Sequence, residues 1–343
     1  MGDRFTMKKC GKSSIIFDNV YIREKYSICG KLEYEGPYGD FFDFHLEDNY
    51  FGEKSFEKSE MKMLRLCIDN CILKLKGLVK EPPKIDLMIL GDLNNQIAVS
   101  NYVMKNYQIP FLGIYSACAT FTEALILGSV FIDSNFGYNI ICGSSSHNST
   151  SEKQFRNPNE YGGQKPDYFT TTATSAGVCI LSNIGMVKIT SCTIGKVIDF
   201  YQDDANDLPR SMAPACADTI IEHLMDLNVS INDYDLVVTG DLSKNGSKIL
   251  REILFEHGID IYDKHFDCGE QIFDITNQPV YSGGSGAGCI AGMVNAYIID
   301  KLTKCDYKKV MIVGTGALLN PVMCSQKETI PSISHLIVLE RLN

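Results

Sequence analysis

At 343 residues the chain can bury a large core and should hold about two domain-sized units. Its 45% hydrophobic and 22% charged residues are ordinary for a soluble globular protein, and a net charge of -10 argues against nucleic acid or an anionic lipid surface as the main partner. The 13 cysteines are scattered and mostly set in apolar runs, which fits a reduced compartment better than a disulfide scaffold or a zinc site.

No secretory signal opens the chain, and no apolar run approaches the ~20 residues of a membrane span. Residues 1–58 read as a short strand near Ile15 followed by a loop-rich approach, with an aromatic cluster at Phe41, Phe42 and Phe44. Residues 59–78 carry apolar side chains at helical spacing (Met61, Leu64, Cys67, Ile68, Cys71, Leu75) and predict an amphipathic helix closed by Gly77. A strand over 85–90 and a helix over 98–107 follow. Residues 111–114 predict a buried strand that tightens through Ser116, Ala117 and Ala119 into an apolar helix over 120–130. Cys118 sits at that join, where a helix dipole favours thiolate and small neighbours admit a ligand. A plain buried cysteine is an equal reading. The alternation from 59 onward is that of an α/β sheet.

The second half repeats the first. IDLMILGDL (85–93) matches YDLVVTGDL (234–242), and YSACATFTEALILG (115–128) has a counterpart in YSGGSGAGCIAGMVNAY (281–297). YNIICGSSS (138–146) echoes VMIVGTGAL (310–318), and each half closes on an apolar strand, AGVCIL (176–181) and HLIVLERL (335–342). Ordered matches of this kind indicate internal duplication, with halves at 1–185 and 186–343 whose glycine-rich turns meet at one central site.

The segment 142–167 is too long for a plain connection and carries His147, Asn148, Arg156, Tyr161, Gln164 and Lys165, with Gly162 and Gly163 between. In so acidic a chain these donors suggest an anion-recognition loop, the alternative being a solvated dimer contact. His223, His257 and His335 fall on helix or strand patterns and are expected to be structural. The run Asp203, Asp204, Asp207 is expected to be a solvated loop.

The duplication, with a cysteine at the first half's strand–helix turn and GTGA near the end, resembles the thiolase-like fold of thiolases and ketoacyl synthases. The resemblance implies two duplicated α/β halves in a five-layer αβαβα sandwich. It also implies an oxyanion hole built from the cysteine's own N–H and that of a late glycine, roles that fall to Cys118 and Gly316. Condensing enzymes add His–His or His–Asn partners, but the matching turns here read Gly240-Asp241-Leu242 and Ser282-Gly283-Gly284-Ser285-Gly286. That leaves the cysteine without support for carbon–carbon chemistry, so an acyltransferase or condensing enzyme is the second reading.

Longer motifs narrow the resemblance. SSHN, QFRNPNEYGGQKPD, SMAPACADTI, GDLSKNGS, FDCGEQI, SGGSGAGC, GTGALLNP and QKETIPSISH resemble the stage V sporulation protein AD family over nearly the whole chain. That family implies a soluble, non-enzymatic protein peripheral to the inner membrane of the developing spore. It binds dipicolinic acid, free or as the calcium chelate, for uptake, alongside membrane proteins of the same operon and without a cofactor. Such a ligand is flat and doubly negative. Cys118, Ser282, Ser285, Thr315 and Gly316 would offer it donors in tight turns. His147, Arg156 and Lys165 would supply positive charge, with Gln164 beside them. Asp241 would hold calcium, anchor a cation or cap a helix. A homodimer is expected through the strand near Ile140, read as an edge strand, and the loop after it.

Overall fold

The computed structural model describes residues 7–78, 83–156 and 165–342, with the backbone alone at Arg156. Ten strands carry the architecture. In the first half they are β1 (Ser14–Cys29), β2 (Leu87–Gly91), β3 (Phe111–Gly113), β4 (Asn139–Ser146) and β5 (Ser175–Ser182). In the second they are β6 (Val187–Ile194), β7 (Leu236–Thr239), β8 (His265–Asp267), β9 (Lys309–Ala317) and β10 (Ser332–Arg341). The hydrogen-bonded order is β3-β2-β4-β5-β1 and then, joined through β1 and β6, β6-β10-β9-β7-β8. Both sets share one plan. The second strand lies parallel to the third and fourth, the fourth antiparallel to the fifth, and the fifth antiparallel to the first. The four sequence matches fall on equivalent elements of that plan.

Three apolar clusters show the layers. The helices α1 (Phe56–Leu78) and α2 (Ala98–Met104) cover one outer face through Met63, Leu64, Ile68, Val99 and Val103, packed with Met88, Ile141 and Val178. On the other outer face α4 (Leu208–Leu227) and α5 (Ser243–Glu256) pack Met212, Ile220, Leu250 and Leu254 on Val237, Met311 and Val338. Between the two sets of strands lie α3 (Thr120–Asp133) and α6, which starts as Ala287–Met293 and continues through a π-turn. Phe121, Leu125, Ile290 and Met293 there touch strand residues of both halves, such as Ile89, Cys142, Val238 and Ile312. Helices apolar on every side belong in such a layer.

β1 is far longer than expected, 16 residues, because polar Asp18, Asn19, Glu24 and Lys25 mask it in the sequence. Its first part, from Ser14 to Ile22, pairs with β6, and its second, from Tyr21 to Cys29, pairs with β5. Two expectations about strand position are corrected. The strand at 111–113 is an edge strand, with Leu112 39% exposed, because among the described residues β2 is its only neighbour. The strand at Ile140 is no edge, since β4 is bonded on both sides, by β2 and β5. No helix among the described residues is long and apolar enough to cross a membrane.

Candidate functional site

The carboxyl ends of β2, β4, β7 and β9 open on one region, where turns of both halves interlock. Cys118 lies in the turn before α3 and is 8% exposed. The turn is tight: Ala117 is left-handed (φ 49°), Ala119 N–H bonds the Ser116 carbonyl, and Thr120 Oγ1 links the Ala117 carbonyl at 2.6 Å to the Ser116 N–H at 3.0 Å. A non-glycine residue in that conformation stores strain of the kind found where a side chain is presented. Gly316 on β9 lies flat against this turn, and a Cβ there would overlap the Ser116 carbonyl oxygen. Next to it Thr315 Oγ1 donates to Asp241 Oδ1 at 2.7 Å, and Asp241 Oδ2 accepts the Gly286 N–H at 2.9 Å. Ala287 then packs with Cys118 and Leu93 against Phe155. The structure therefore brings together Cys118, Asp241, Thr315 and Gly316, with Ser285 adjoining Gly286.

Other expectations are corrected. Asp241 does not cap the helix that follows it, because the Leu242 and Ser243 N–H groups go to Asp267 at 2.9 and 2.7 Å. It ties the Gly286 turn, which opens α6, to β9. The Ser282 turn spends its donors internally: Ser282 N–H bonds the Phe169 carbonyl, Gly283 N–H the Val280 carbonyl and Gly286 N–H Asp241. Ser285 sits in a two-residue strand paired with Thr171–Thr172. His147 is no cation. It is fully buried, it bonds the Asn49 carbonyl through Nε2 at 2.9 Å, and Nδ1 accepts the Ser149 N–H. Burial holds the imidazole below its ordinary value, so it is neutral. Lys165 pairs with Glu152 at 3.1 Å and lies over the Phe169 ring at 4.1 Å. Gln164, Tyr161, Gly162 and Gly163 lie outside the described residues, as does the Arg156 side chain.

Leu93 and Phe155, which pack with Cys118, also line a cleft of about 870 Å³. One wall is the segment after β2 (Leu93 to Ile97), a second holds Gln154 and Phe155, and a third runs from Leu318 to Val322. Tyr115, Ile114 and Gly113 close the side towards the β3 edge. Among the described residues its lining is uncharged: the amides of Asn94, Asn95, Gln96, Gln154 and Asn320, the rings of Tyr115 and Phe155, and aliphatic side chains. Gln96 (φ 59°) and the β-branched Ile97 (φ 47°) are both left-handed at its rim, a costly geometry for such residues. Sequence reasoning missed these amides, because scattered Asn and Gln carry no spacing signal. The nearness of Asn94, Asn95 and Gln96 to the repeated Gly91-Asp92-Leu93 turn is the one clue available.

The six histidines all bond or stack elsewhere. His223 bonds Thr193 and Tyr234, His265 bonds Thr239 and Arg251, and His335 accepts the Gly195 N–H. His257 bonds the Ile253 carbonyl, and His45 stacks on Tyr34. Among the described residues, no group of three or more His, Cys, Asp and Glu side chains is arranged as a metal centre.

The family model for stage V sporulation protein AD (SpoVAD) matches residues 11–340. The chain is 42% identical over 337 residues to the stage V sporulation protein AD of Bacillus subtilis (strain 168), covering 98% of each. Cerulenin-bound OleA of Xanthomonas campestris is similar in structure at a TM-score of 0.61, covering 100% of both chains at 10% identity. Human mitochondrial 3-ketoacyl-CoA thiolase follows at 0.58, covering 94% of this chain and 99% of that one at 11% identity. Such identities show the fold alone, and the fold is thiolase-like.

Proposed function

The chain belongs to the stage V sporulation protein AD family, and on that premise we propose that it is a non-enzymatic binder of dipicolinic acid, free or as its calcium chelate. It serves uptake into the developing spore, working at the inner spore membrane beside membrane proteins of the same operon. The observation that carries this reading is the cleft lined by Leu93 and Phe155, the residues that pack with Cys118. Its aromatic and amide walls suit a flat ring edged with carboxylate oxygens, and no histidine lines it. Arg156, next in sequence to Phe155, is the cation the reading requires, because Lys165 is engaged with Glu152.

Calorimetry with dipicolinate, picolinate and benzoate, with and without calcium, tests it. Loss of one carboxylate is expected to weaken binding by roughly 1.5–3 kcal/mol, tenfold or more. Arg156→Ala is expected to lose a similar amount and Lys165→Ala little. Equal affinity for mono- and dicarboxylates would sink the model of two polar clusters.

A second reading, acyl transfer on Cys118, is supported by the strained turn that presents the thiol. Incubation with acetyl- and malonyl-thioesters followed by intact mass separates the two. The binder shows no adduct, and a stoichiometric adduct on Cys118 would overturn it.

The homodimer belongs to the same proposal, moved to the strand that is free to make it. Among the described residues β3 ends the sheet with one side unpaired, and pairing with a second copy would cover Leu112. Sedimentation at micromolar concentration is expected to give a dimer, and a purely monomeric boundary would count against it.

A further inference from the structure

Two walls of the cleft are anchored on one carboxyl to which no role has yet been given. Glu60, early in α1, is fully buried, and among the described residues its hydrogen bonds all come from uncharged groups. Ser145 Oγ donates to Oε1 at 2.9 Å, while Asn94 Nδ2 at 2.9 Å and Thr150 Oγ1 at 3.0 Å donate to Oε2. Asn94 also donates its backbone N–H to Asp92 at 2.9 Å, so one asparagine bridges two buried carboxyls. Its side-chain oxygen accepts from Gln154 Nε2 at 3.0 Å, and Gln154 Oε1 accepts the Asn95 N–H at 2.9 Å. The wall after β2 is thereby clamped to the wall after β4, and Glu60 holds both.

We propose that Glu60 is a positioning residue of this site: through Asn94 it fixes which amide atoms face the ligand, and the proton it gains or loses sets the cleft's affinity for an anion. The inference rests on the reading of the cleft as the ligand site. With the carboxyl ionised, the Asn94 bond is charge-assisted and strong, but a negative charge lies behind the wall that an anion must approach. With the carboxyl protonated on Oε1, the Ser145 hydroxyl rotates to accept, the Asn94 and Thr150 bonds remain, and that charge is gone.

Burial first, and Asp92 second, push Glu60 up to about 7, so both states are populated in the neutral range. The other titratable groups on the elements packed there are engaged or neutral. Glu57 pairs with Lys153 at 2.7 Å, Glu152 with Lys165, and His147 is neutral. Asp92, itself raised by burial, accepts the Asn94 and Ser100 N–H groups.

The test starts without ligand. In NMR titrations of the full chain, the side-chain amide resonances of Asn94 and Gln154 are expected to follow one curve with a midpoint within about one unit of pH 7. In Glu60→Gln they should stay flat. Wild-type affinity for dipicolinate, measured without calcium, is expected to fall roughly threefold or more between about pH 6 and pH 8, and Glu60→Gln should lose that slope. Wild-type amide resonances indifferent to pH overturn the proposal, as does an unchanged slope in the variant. The wild-type titration decides even if Glu60→Gln does not fold. If dipicolinate binds at no pH, the proposed function falls, while the amide titration still answers for Glu60.

Discussion

Replacing Gly316 by alanine is expected to dislodge the Cys118 turn and weaken dipicolinate binding by roughly tenfold or more. The added Cβ meets the Ser116 carbonyl oxygen, which is backbone and cannot swing aside, and behind it the Ala119 amide and Cβ. The turn has little slack, being cross-linked by Thr120 and strained at Ala117. Either β9 moves, pulling on the Thr315–Asp241–Gly286 tie, or the turn moves and shifts Cys118 against the cleft residues Leu93 and Phe155. Overpacking of this kind costs about 1–3 kcal/mol of stability. The control is Gly77→Ala near the end of α1, where a Cβ meets nothing within 4 Å and binding should be unchanged. Thermal melts and calorimetry on both variants decide the matter. A Gly316→Ala protein that melts and binds like wild type would mean that the close approach of β9 to the turn is irrelevant.

Stability should peak near about pH 6 and fall on both sides, by roughly 5 °C or more in Tm towards pH 8.5. Burial pushes three carboxyls, Glu33, Glu60 and Asp267, up to about 7 from ordinary values of 4.5, 4.5 and 3.8. Each holds its proton more tightly in the folded chain than in the unfolded one. Folding therefore loses stability as pH climbs from the unfolded values through 7, and above that the full cost of three buried charges is present. Four imidazoles act in the opposite sense. Burial lowers His147, and it takes His223 and His335 to about 4 and His265 to about 3, from 6.5. The unfolded chain binds those protons first, so stability is lost as pH falls below 6.5. A melting temperature that rose steadily from pH 6 to pH 8.5 would show that the three carboxyls are not held as described.

The duplication was legible because its marks are steric. Gly91, Gly283 and Gly286 are demanded by close approach or by a positive φ, and such demands recur wherever the plan recurs. Cys118, Asp241, Thr315 and Gly316 stand out in the sequence on other grounds, the cysteine at a strand–helix turn and the resemblance to the thiolase-like fold, and the structure brings the four together. Strand position was not legible. Phe-Leu-Gly at 111–113 and Ile-Ile-Cys at 140–142 look alike as apolar runs, and only pairing makes one an edge and the other central. The loop's basic look was misleading too, since charge in a sequence says nothing about partners: Lys165 answers Glu152, and His147 answers the Asn49 carbonyl. Glu60 was invisible, because a glutamate among charged neighbours early in an amphipathic helix resembles any solvent-facing one. Its burial depends on Ser145, Thr150 and Asn94, which other parts of the chain deliver.

The staggered pairing of β1 bears on how the chain comes to be made. Residues 14–29 leave the ribosome first among the ten strands, yet their partners are residues 175–182 and 187–194. Only the strand's short pairings with residues 8–10 and 44–45 can form early, and both long ladders wait until residues 175–194 have been synthesised. At about 5–20 residues per second, the middle of the strand waits for on the order of ten seconds or more without its long ladders. Contacts so distant in sequence also make closure slow once the partners arrive. Asp18, Asn19, Glu24 and Lys25, which hide the strand from a reader of the sequence, lower its tendency to pair with other nascent chains during that interval.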